Sequence, residues 1–225
     1  MTPPQDPRPA TEPRVDPAFE TEAVRKVSDV ETLRAISDPT RMRLLEKMVT
    51  RTDRPWTVKE LAASLGLPQT RLYHHIDLLV GRDLIRAVEQ HVVSGIIETR
   101  YRVVARSFQL DRRLFAAAAA DPDAADDTRR VLHDTLLTIF DSARDEVEEA
   151  IRTGAAVPAA DLPPHRRLLV SRGIARLSPD RAADLRSRLE ALETEFEHDD
   201  APDGEPYGLF VAVYPLPPTT EPSDA

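Results

Sequence analysis

The sequence predicts a mainly α-helical protein with small β elements, and three observations support this fold class. Apolar residues recur with helical spacing in both halves of the chain. A Gly-Leu-Pro corner at residues 66–68 separates two short helices, as in a helix-turn-helix. Alternating apolar and polar residues at 84–89 and 99–104 predict a hairpin, with the loop at 90–98 as its wing. We therefore expect an N-terminal winged helix-turn-helix, followed by a long helix and a small α/β C-terminal domain.

The helix-turn-helix contains start and stop signals for both of its helices. Thr57 and Glu60 have the spacing of a capping box, which begins the first helix. Gly66 can adopt the positive φ that ends this helix, and Pro68 is well suited to open the second one. At 100° per residue, one face of the second helix is apolar and must pack on the core. That face contains Leu72, Ile76 and Leu79.

The regions before the motif form a tail and two further helices. Residues 1–27 contain many prolines among polar residues, and this composition predicts a disordered tail. The winged-helix domain is predicted over residues 28–108. Its first helix stops before Asp38, which is predicted to cap a second helix with Pro39 in its first position.

Residues 109–216 are predicted to form a helical linker and an α/β domain for dimerisation and effector binding, and residues 217–225 a disordered tail. The elements predicted within residues 109–216 are, in order, a long helix at 126–153, a strand at 168–174, a helix capped by Ser178 and a strand at 207–214. The apolar stripe of the long helix contains Leu132, Leu136, Ile139, Ala143, Val147 and Ala150. Two strands alone leave open edges, so we expect a dimer partner or the long helix to complete the sheet.

Charge is distributed unevenly along the 225 residues, whose net charge is −9. Residues 21–110 carry 15 basic and 11 acidic side chains, whereas residues 111–225 carry 13 and 24. The basic portion therefore coincides with the helix-turn-helix, which favours double-stranded DNA as its partner because phosphates attract basic surfaces.

Composition excludes several classes of site. The chain has no cysteine, which rules out disulfides and thiolate metal ligands. Its six histidines are scattered and belong to no catalytic motif, so we predict neither an enzyme nor a cofactor. No apolar run reaches the roughly 18 residues that span a bilayer, and no signal segment opens the chain, so we expect a cytoplasmic protein.

The outward face of the second motif helix supplies most of the candidate DNA contacts, because its N-terminal part enters the major groove in this docking mode. Gln69 can pair with adenine edges, and Arg71 can reach guanine or a phosphate. His75 lies beside the apolar face, where a half-buried side chain bonded to backbone is an equal alternative. Outside this helix, exposed basic residues could meet phosphates. The candidate residues are Lys59, Gln69, Thr70, Arg71, Tyr73, His74, His75, Arg100 and Arg102.

Several segments also resemble a known family. The run from Ile36 to Leu45, ISDPTRMRLL, resembles the opening signature of ArsR-type winged-helix transcriptional regulators. Leu65-Gly66-Leu67 and Tyr73-His74-His75-Ile76 are similar to the motif helices of that family. The resemblance covers residues 28–105 and implies a homodimer that binds operator DNA and represses transcription until an effector intervenes.

The chain departs from that family in two respects. It lacks the cysteine pairs of the founding metal sensors, and its C-terminal half is longer than in compact members. Both departures favour an unidentified small-molecule effector over a soft metal. Asp126 and His133 lie one heptad apart on the long helix and leave a metal-responsive repressor as one alternative. A second alternative is a winged helix that binds proteins, with the acidic half docking a basic partner.

Overall fold

The structure is a computed structural model that describes residues 15–93, 95–111, 113–114, 122–156, 163–199, 201 and 204–216. The chain divides into two compact units, Met1–Asp145 and Glu146–Ala225, and we describe each by itself. The tail predicted at 217–225 lies outside the described residues, as do the first fourteen residues of the tail predicted at 1–27.

Four helices in the first unit follow the sequence prediction closely. They are α1 (Val30–Ile36), α2 (Pro39–Val49), α3 (Val58–Leu65) and α4 (Gln69–Gly81). Asp38 caps α2 by accepting a hydrogen bond from the backbone N–H of Arg41, and Pro39 occupies the first turn. The capping box of Thr57 and Glu60 is present at the start of α3. Gly66 ends α3 with a φ of 64°, which confirms its predicted role.

Five strands accompany these helices: β1 (Glu22–Val27), β2 (Trp56–Thr57), β3 (Ile85–Val93), β4 (Ile96–Val103) and β5 (Ala105–Leu110). The antiparallel sheet has the order β2-β4-β3, while β1 and β5 form a separate parallel pair. The prediction of a wing loop at residues 90–98 is wrong, because the hairpin strands continue to Val93 and Ile96. β-branched residues near the tip favour the extended conformation, and Gly95 turns the chain with a φ of 82°.

The prediction of disorder through residue 27 is also wrong, because residues 22–27 form β1. Val27 is 1% exposed and belongs to the core. The Arg25 guanidinium donates a hydrogen bond of 2.8 Å to the Asp83 carboxylate, close to the start of β3. The partner of β1 is β5, which lies some eighty residues away in sequence. Local composition contains no information about such a distant partner.

One hydrophobic core joins these elements. Its largest fully buried side chains come from α1 to α4, from β1, β3 and β4, and from residues next to these strands. They include Leu33, Leu44, Met48, Leu61, Leu72, Ile76, Leu79, Leu84 and Ile85. The predicted inner face of α4 is therefore confirmed, and α4 is held rigidly against the body of the domain.

The long helix α5 (Pro122–Thr153) begins earlier than predicted and buries a different face. Leu132 is buried as expected, but Leu136 is 43% exposed. The buried side chains are Thr128, Val131, Leu132 and Thr135. Polar contacts explain the rotation, because the Thr138 hydroxyl donates to the Ser37 carbonyl at 2.8 Å and the Ser142 hydroxyl donates to the Glu46 carboxylate.

The second unit contains the end of α5, a short 3-10 helix (Pro164–Arg166) and α6 (Pro179–His198). Ser178 caps α6 by accepting a hydrogen bond from the Arg181 N–H, as predicted. The predicted strands at 168–174 and 207–214 are wrong, since neither segment forms strand structure in the described part of this chain. A strand needs a hydrogen-bonding neighbour, and neither segment pairs with a described strand.

None of the described helices combines the length and the apolar character needed to span a membrane.

Candidate nucleic-acid interface

The corner before α4 determines where the candidate DNA-contacting residues of this helix lie. After Gly66, the Leu67 N–H donates to the Ala62 carbonyl at 3.0 Å, and Leu67 packs partly buried against the core. The Arg71 N–H then donates to the Pro68 carbonyl at 3.0 Å and starts α4. The first turn of α4 is thus held in place by backbone hydrogen bonds and by one apolar anchor.

Arg41, the last residue of the Asp-Pro-Thr-Arg sequence at 38–41, stabilises the junction between α1 and α2. Arg41 donates from Nε to the Ala35 carbonyl and from Nη2 to the Arg34 carbonyl, 3.1 Å away. These carbonyls lie in the last turn of α1, where backbone oxygens lack helical partners and attract a cation. Arg41 therefore joins α1 to α2 while Asp38 caps α2.

The N-terminal part of α4 presents its polar side chains to solvent. Those of Gln69, Thr70, Arg71, Tyr73 and His74 are all exposed, as the helical spacing predicted. The Gln69 side-chain amide donates to the Tyr73 hydroxyl at 2.7 Å, so these two side chains are already ordered relative to each other. The set provides amide, guanidinium, hydroxyl and imidazole groups on one exposed surface, and each of these can bond to base edges or phosphates.

His75 is half-buried beside this surface, but its environment differs from the predicted backbone bond. Its Nδ1 lies 3.6 Å from the Asp38 carboxylate, and no residue described in the structure hydrogen-bonds to that atom. His75 also lines a cavity of about 340 Å³ together with Thr40, Leu67 and Arg71. Thr40 was not among the candidate residues predicted from the sequence. The feature that could have identified it is its position at the start of α2.

The remaining candidate residues, Lys59, Arg100 and Arg102, lie outside α4. Lys59 is exposed in the first turn of α3. On β4, Arg100 lies 3.8 Å from Glu89 and 3.7 Å from Glu98. Arg102 donates to the Asp53 carbonyl at 3.4 Å. The two arginines are therefore partly neutralised or engaged within the domain, which makes them weaker candidates for phosphate contacts than Lys59.

The start of α3, where Lys59 lies, is stabilised by a cluster around Glu60. Burial raises the pKa of Glu60, but the hydrogen bond from the Thr57 backbone N–H and the charge of the neighbouring Arg51 guanidinium lower it by more, so the net pKa is below its usual range. Arg51 also stacks 3.5 Å above the Trp56 ring. The carboxylate therefore stays ionised and strengthens the cap of α3.

Tyr101 connects the sheet with the outward side of α4. It is 8% exposed, and burial raises the pKa of its hydroxyl, with further contributions from the charges of Asp77 and Tyr73. The Tyr101 hydroxyl therefore stays protonated and adds no negative charge near Asp77 and Tyr73. Its alternation in β4 predicted a buried position, but sequence alone did not indicate proximity to Asp77.

The side chains at the tip of the β3–β4 hairpin are not those expected of a DNA-binding wing. Val92, Val93, Ile96 and Ile97 are between 51% and 75% exposed. Glu89 and Glu98 flank these residues, and His91 lies 3.0 Å from Glu89. The tip is therefore apolar and acidic, which does not complement a phosphate backbone.

Among the described residues, no three His, Asp or Glu side chains gather where they could hold a metal ion.

Comparison with known proteins supports the same assignment for this part of the chain. Residues 36–88, from the end of α1 into β3, match the family model described as a helix-turn-helix domain. No curated protein matches the chain. The chain therefore contains a helix-turn-helix domain, and this domain indicates a DNA-binding regulator.

Proposed function

We propose that this protein is a cytoplasmic, homodimeric transcriptional repressor of ArsR-like type that binds operator DNA through α4. The observation that carries the proposal is the exposed polar surface at the N-terminal end of α4, held on a fully packed inner face. Repression and control by a small-molecule effector follow from the resemblance in the ISDPTRMRLL segment.

Three exposed side chains of α4 have distinct roles in this proposal. Gln69 pairs with an adenine edge, and Arg71 contacts guanine or a phosphate. Tyr73 orients Gln69 through the hydrogen bond between their side chains. We assign Lys59, and the cavity that Arg71 and His75 line with Thr40, to contacts with the phosphate backbone, because they present cationic and polar groups near the start of α3 and α4. A homodimer places two such helices on paired half-sites, about 34 Å or a multiple of that distance apart.

The test compares Arg71→Ala with Arg188→Ala, a matched loss of one exposed arginine from α6. DNA affinity is measured by fluorescence anisotropy on operator fragments selected from genomic DNA, at several salt concentrations. We expect Arg71→Ala to weaken binding by about tenfold and to reduce the salt slope by about one. Arg188→Ala should leave both values unchanged. An unaltered slope for Arg71→Ala would contradict the proposed contact.

A second function is favoured by one specific observation, the apolar and acidic tip of the hairpin. In this alternative the winged helix binds a protein whose surface is apolar with a basic rim. The same titrations separate the two functions. Strong DNA binding with a steep salt dependence supports the regulator, whereas absent or salt-insensitive binding supports the protein-binding module.

A further inference from the structure

The cavity beside α4 has the size of a site for a small ligand. Its volume is about 340 Å³, and its lining comes from two helices and the corner before α4. Thr40 lies in the first turn of α2, Arg71 in the first turn of α4, and Leu67 in the corner. Pockets that bind small molecules have volumes of about 300–1,000 Å³. The cavity therefore has room for a small polar molecule.

Arg71 brings to this cavity a guanidinium that no described residue neutralises. Its side chain is exposed, and none of the described residues forms an ion pair or a hydrogen bond with it. Arg41, by contrast, donates to a carbonyl of α1 and lies 3.8 Å from Asp38. A guanidinium presents five N–H donors in a planar fork that matches the oxygens of an anion. Arg71 can therefore bind an anion without losing a contact with the described residues.

His75 supplies a second polar group, one helical turn after Arg71. Its Nδ1 atom is shielded from solvent and lies 3.6 Å from the Asp38 carboxylate, and no described residue hydrogen-bonds to it. Because Nδ1 faces Asp38, Nε2 is the imidazole nitrogen that is left for a ligand. The charge of Asp38 is itself partly balanced, since this carboxylate accepts a hydrogen bond from the Arg41 N–H and lies 3.8 Å from the Arg41 guanidinium.

These groups match the chemistry of a phosphate. The Arg71 guanidinium and the His75 imidazole come from α4, whereas the Thr40 hydroxyl comes from α2. Donors on two helices can bond to different oxygens of a tetrahedral phosphate, and a phosphomonoester presents three such oxygens with a charge of about −1.5 to −2 at pH 7. The apolar side chain of Leu67 can contact a short organic group attached to the phosphate.

We propose that this cavity binds a free phosphate group, on inorganic phosphate or a small phosphomonoester, and that the bound molecule competes with operator DNA. Arg71 holds the phosphate, and the Thr40 hydroxyl and His75 Nε2 donate further hydrogen bonds. Arg71 cannot hold the free phosphate and contact DNA at the same time, so occupancy of the cavity weakens operator binding. The inference rests on the proposed function and assigns its effector to a chemical class.

Binding of inorganic phosphate to the full chain, without DNA, is the first test. The ring Cε1–H signals of the six histidines are followed by NMR at constant pH and ionic strength, and His75→Gln identifies the His75 signal. This signal should shift saturably with phosphate. The signal of His133, whose side chain is 70% exposed on α5, should not. An absence of saturation at His75, or an equal shift at His133, would overturn the proposal.

Variants of the lining residues locate the site in the same titration. Arg71→Ala should weaken phosphate binding by about tenfold or more, because it removes charge-assisted hydrogen bonds. Thr40→Val keeps the shape of the side chain but removes the hydroxyl, and should weaken binding by about threefold. The control Arg188→Ala removes an exposed arginine from α6 and should leave the affinity unchanged. Wild-type affinity in Arg71→Ala would show that phosphate binds elsewhere.

Dimethyl phosphate distinguishes a free ligand from the DNA backbone, because it is a diester with a single charge. Inorganic phosphate should bind at least about threefold more tightly, since it carries more charge toward Arg71. Equal or tighter binding of dimethyl phosphate would assign the cavity to the DNA backbone alone and overturn the proposal.

Competition is measured by fluorescence anisotropy with operator DNA at constant ionic strength. Inorganic phosphate should weaken operator binding with an inhibition constant equal to its Kd in the NMR titration. Unchanged operator affinity at saturating phosphate would overturn the competition. A chain that binds phosphate in the cavity but binds no DNA would refute the proposed function and leave the phosphate site standing, so the two failures are distinguishable.

Discussion

The two units of this chain use apolar residues in opposite ways. In the first unit, Leu61 is fully buried within a core that α1 to α4 share with the sheet. In the second unit, Leu192 is 59% exposed on a helix of equally regular geometry. Amphipathic helices occur in both units, but among the described residues large apolar side chains are fully buried in the first unit and stay exposed in the second. The difference teaches that the same helical periodicity accompanies a packed core in one unit and exposed apolar side chains in the described part of the other.

Removal of a core side chain should produce the largest contrast. Leu61→Ala should lower the free energy of unfolding by about 2–5 kcal/mol, independently of protein concentration, because it leaves a cavity in the first unit. Leu192→Ala should have a smaller effect, because this side chain is largely exposed and its removal leaves no cavity in a core. Urea unfolding at two protein concentrations measures the effect of Leu61→Ala, with fluorescence of the single tryptophan, Trp56, as the signal.

Circular dichroism at 222 nm follows the helices of both units in the same samples. Equal losses for the two variants would contradict the comparison.

Two glycines allow a matched test of backbone conformation. A Cβ at Gly66 or at Gly173 would meet no atom within 4 Å, but only Gly66 has a left-handed φ, +64°. Gly66→Ala should therefore cost about 1–2 kcal/mol through conformational strain at the turn before α4. Gly173→Ala should be neutral or slightly stabilising, because it restricts the unfolded chain. Thermal unfolding of both variants measures the difference, and a neutral Gly66→Ala would refute the role of the turn.

Ion pairs of the two units should differ less in their contribution to the free energy of unfolding than core side chains do. Two hydrogen bonds from Arg86 hold the pKa of Asp83 below its usual range, and Arg25 of β1 donates a third. Ionised Asp83 therefore adds stability above the unfolded-state pKa, and this contribution is lost as pH falls through the lower folded-state pKa. Asp83→Asn should cost about 0.5–1 kcal/mol at pH 7, since the pair is partly screened by solvent.

Below the folded-state pKa of Asp83, the wild type and Asp83→Asn should have the same stability, as measured by urea unfolding. Asp184→Asn is the matched change in the second unit, where exposed Arg181 of the same helix is the ion-pair partner of Asp184 among the described residues. Its effect at pH 7 should be smaller. An Asp83→Asn deficit that persists in acid would show that charge is not its cause.

The smallest expected effect has the opposite sign. Burial raises the pKa of Glu46, despite a hydrogen bond from the Ser142 hydroxyl. Its ionised form therefore destabilises the first unit, fully so once pH exceeds the folded-state pKa, and this cost disappears below the unfolded-state pKa. Glu46→Gln keeps an acceptor for Ser142 and should stabilise the protein at pH 7 by about 0.5 kcal/mol. Urea unfolding at pH 7 and pH 3.5 should show a gain only at the higher pH, and a loss at pH 7 would contradict this account.

Local patterns predicted α1 to α4, their caps and the inner face of α4, because these features depend on residues within one or two turns. Asp38, Thr57 and Gly66 are each recognisable from immediate neighbours. The outward position of Gln69, Arg71 and His74 follows from the same helical geometry. Helical spacing alone could not predict the Asp38 neighbour of His75 or the cavity shared with Thr40, because those contacts join α2 to α4.

Tertiary structure decided the features that depend on distant partners. β1 becomes a strand because β5 is available beside it, and α5 turns Thr138 and Ser142 toward Ser37 and Glu46. The segments at 168–174 and 207–214 have strand-like sequences but no strand neighbour among the described residues. Amino-acid sequence by itself determined where α1 to α4 begin and end and where α4 exposes polar residues, since these preferences are local. Pairing and burial were decided by the fold, because backbone hydrogen bonds and apolar surfaces require a second element.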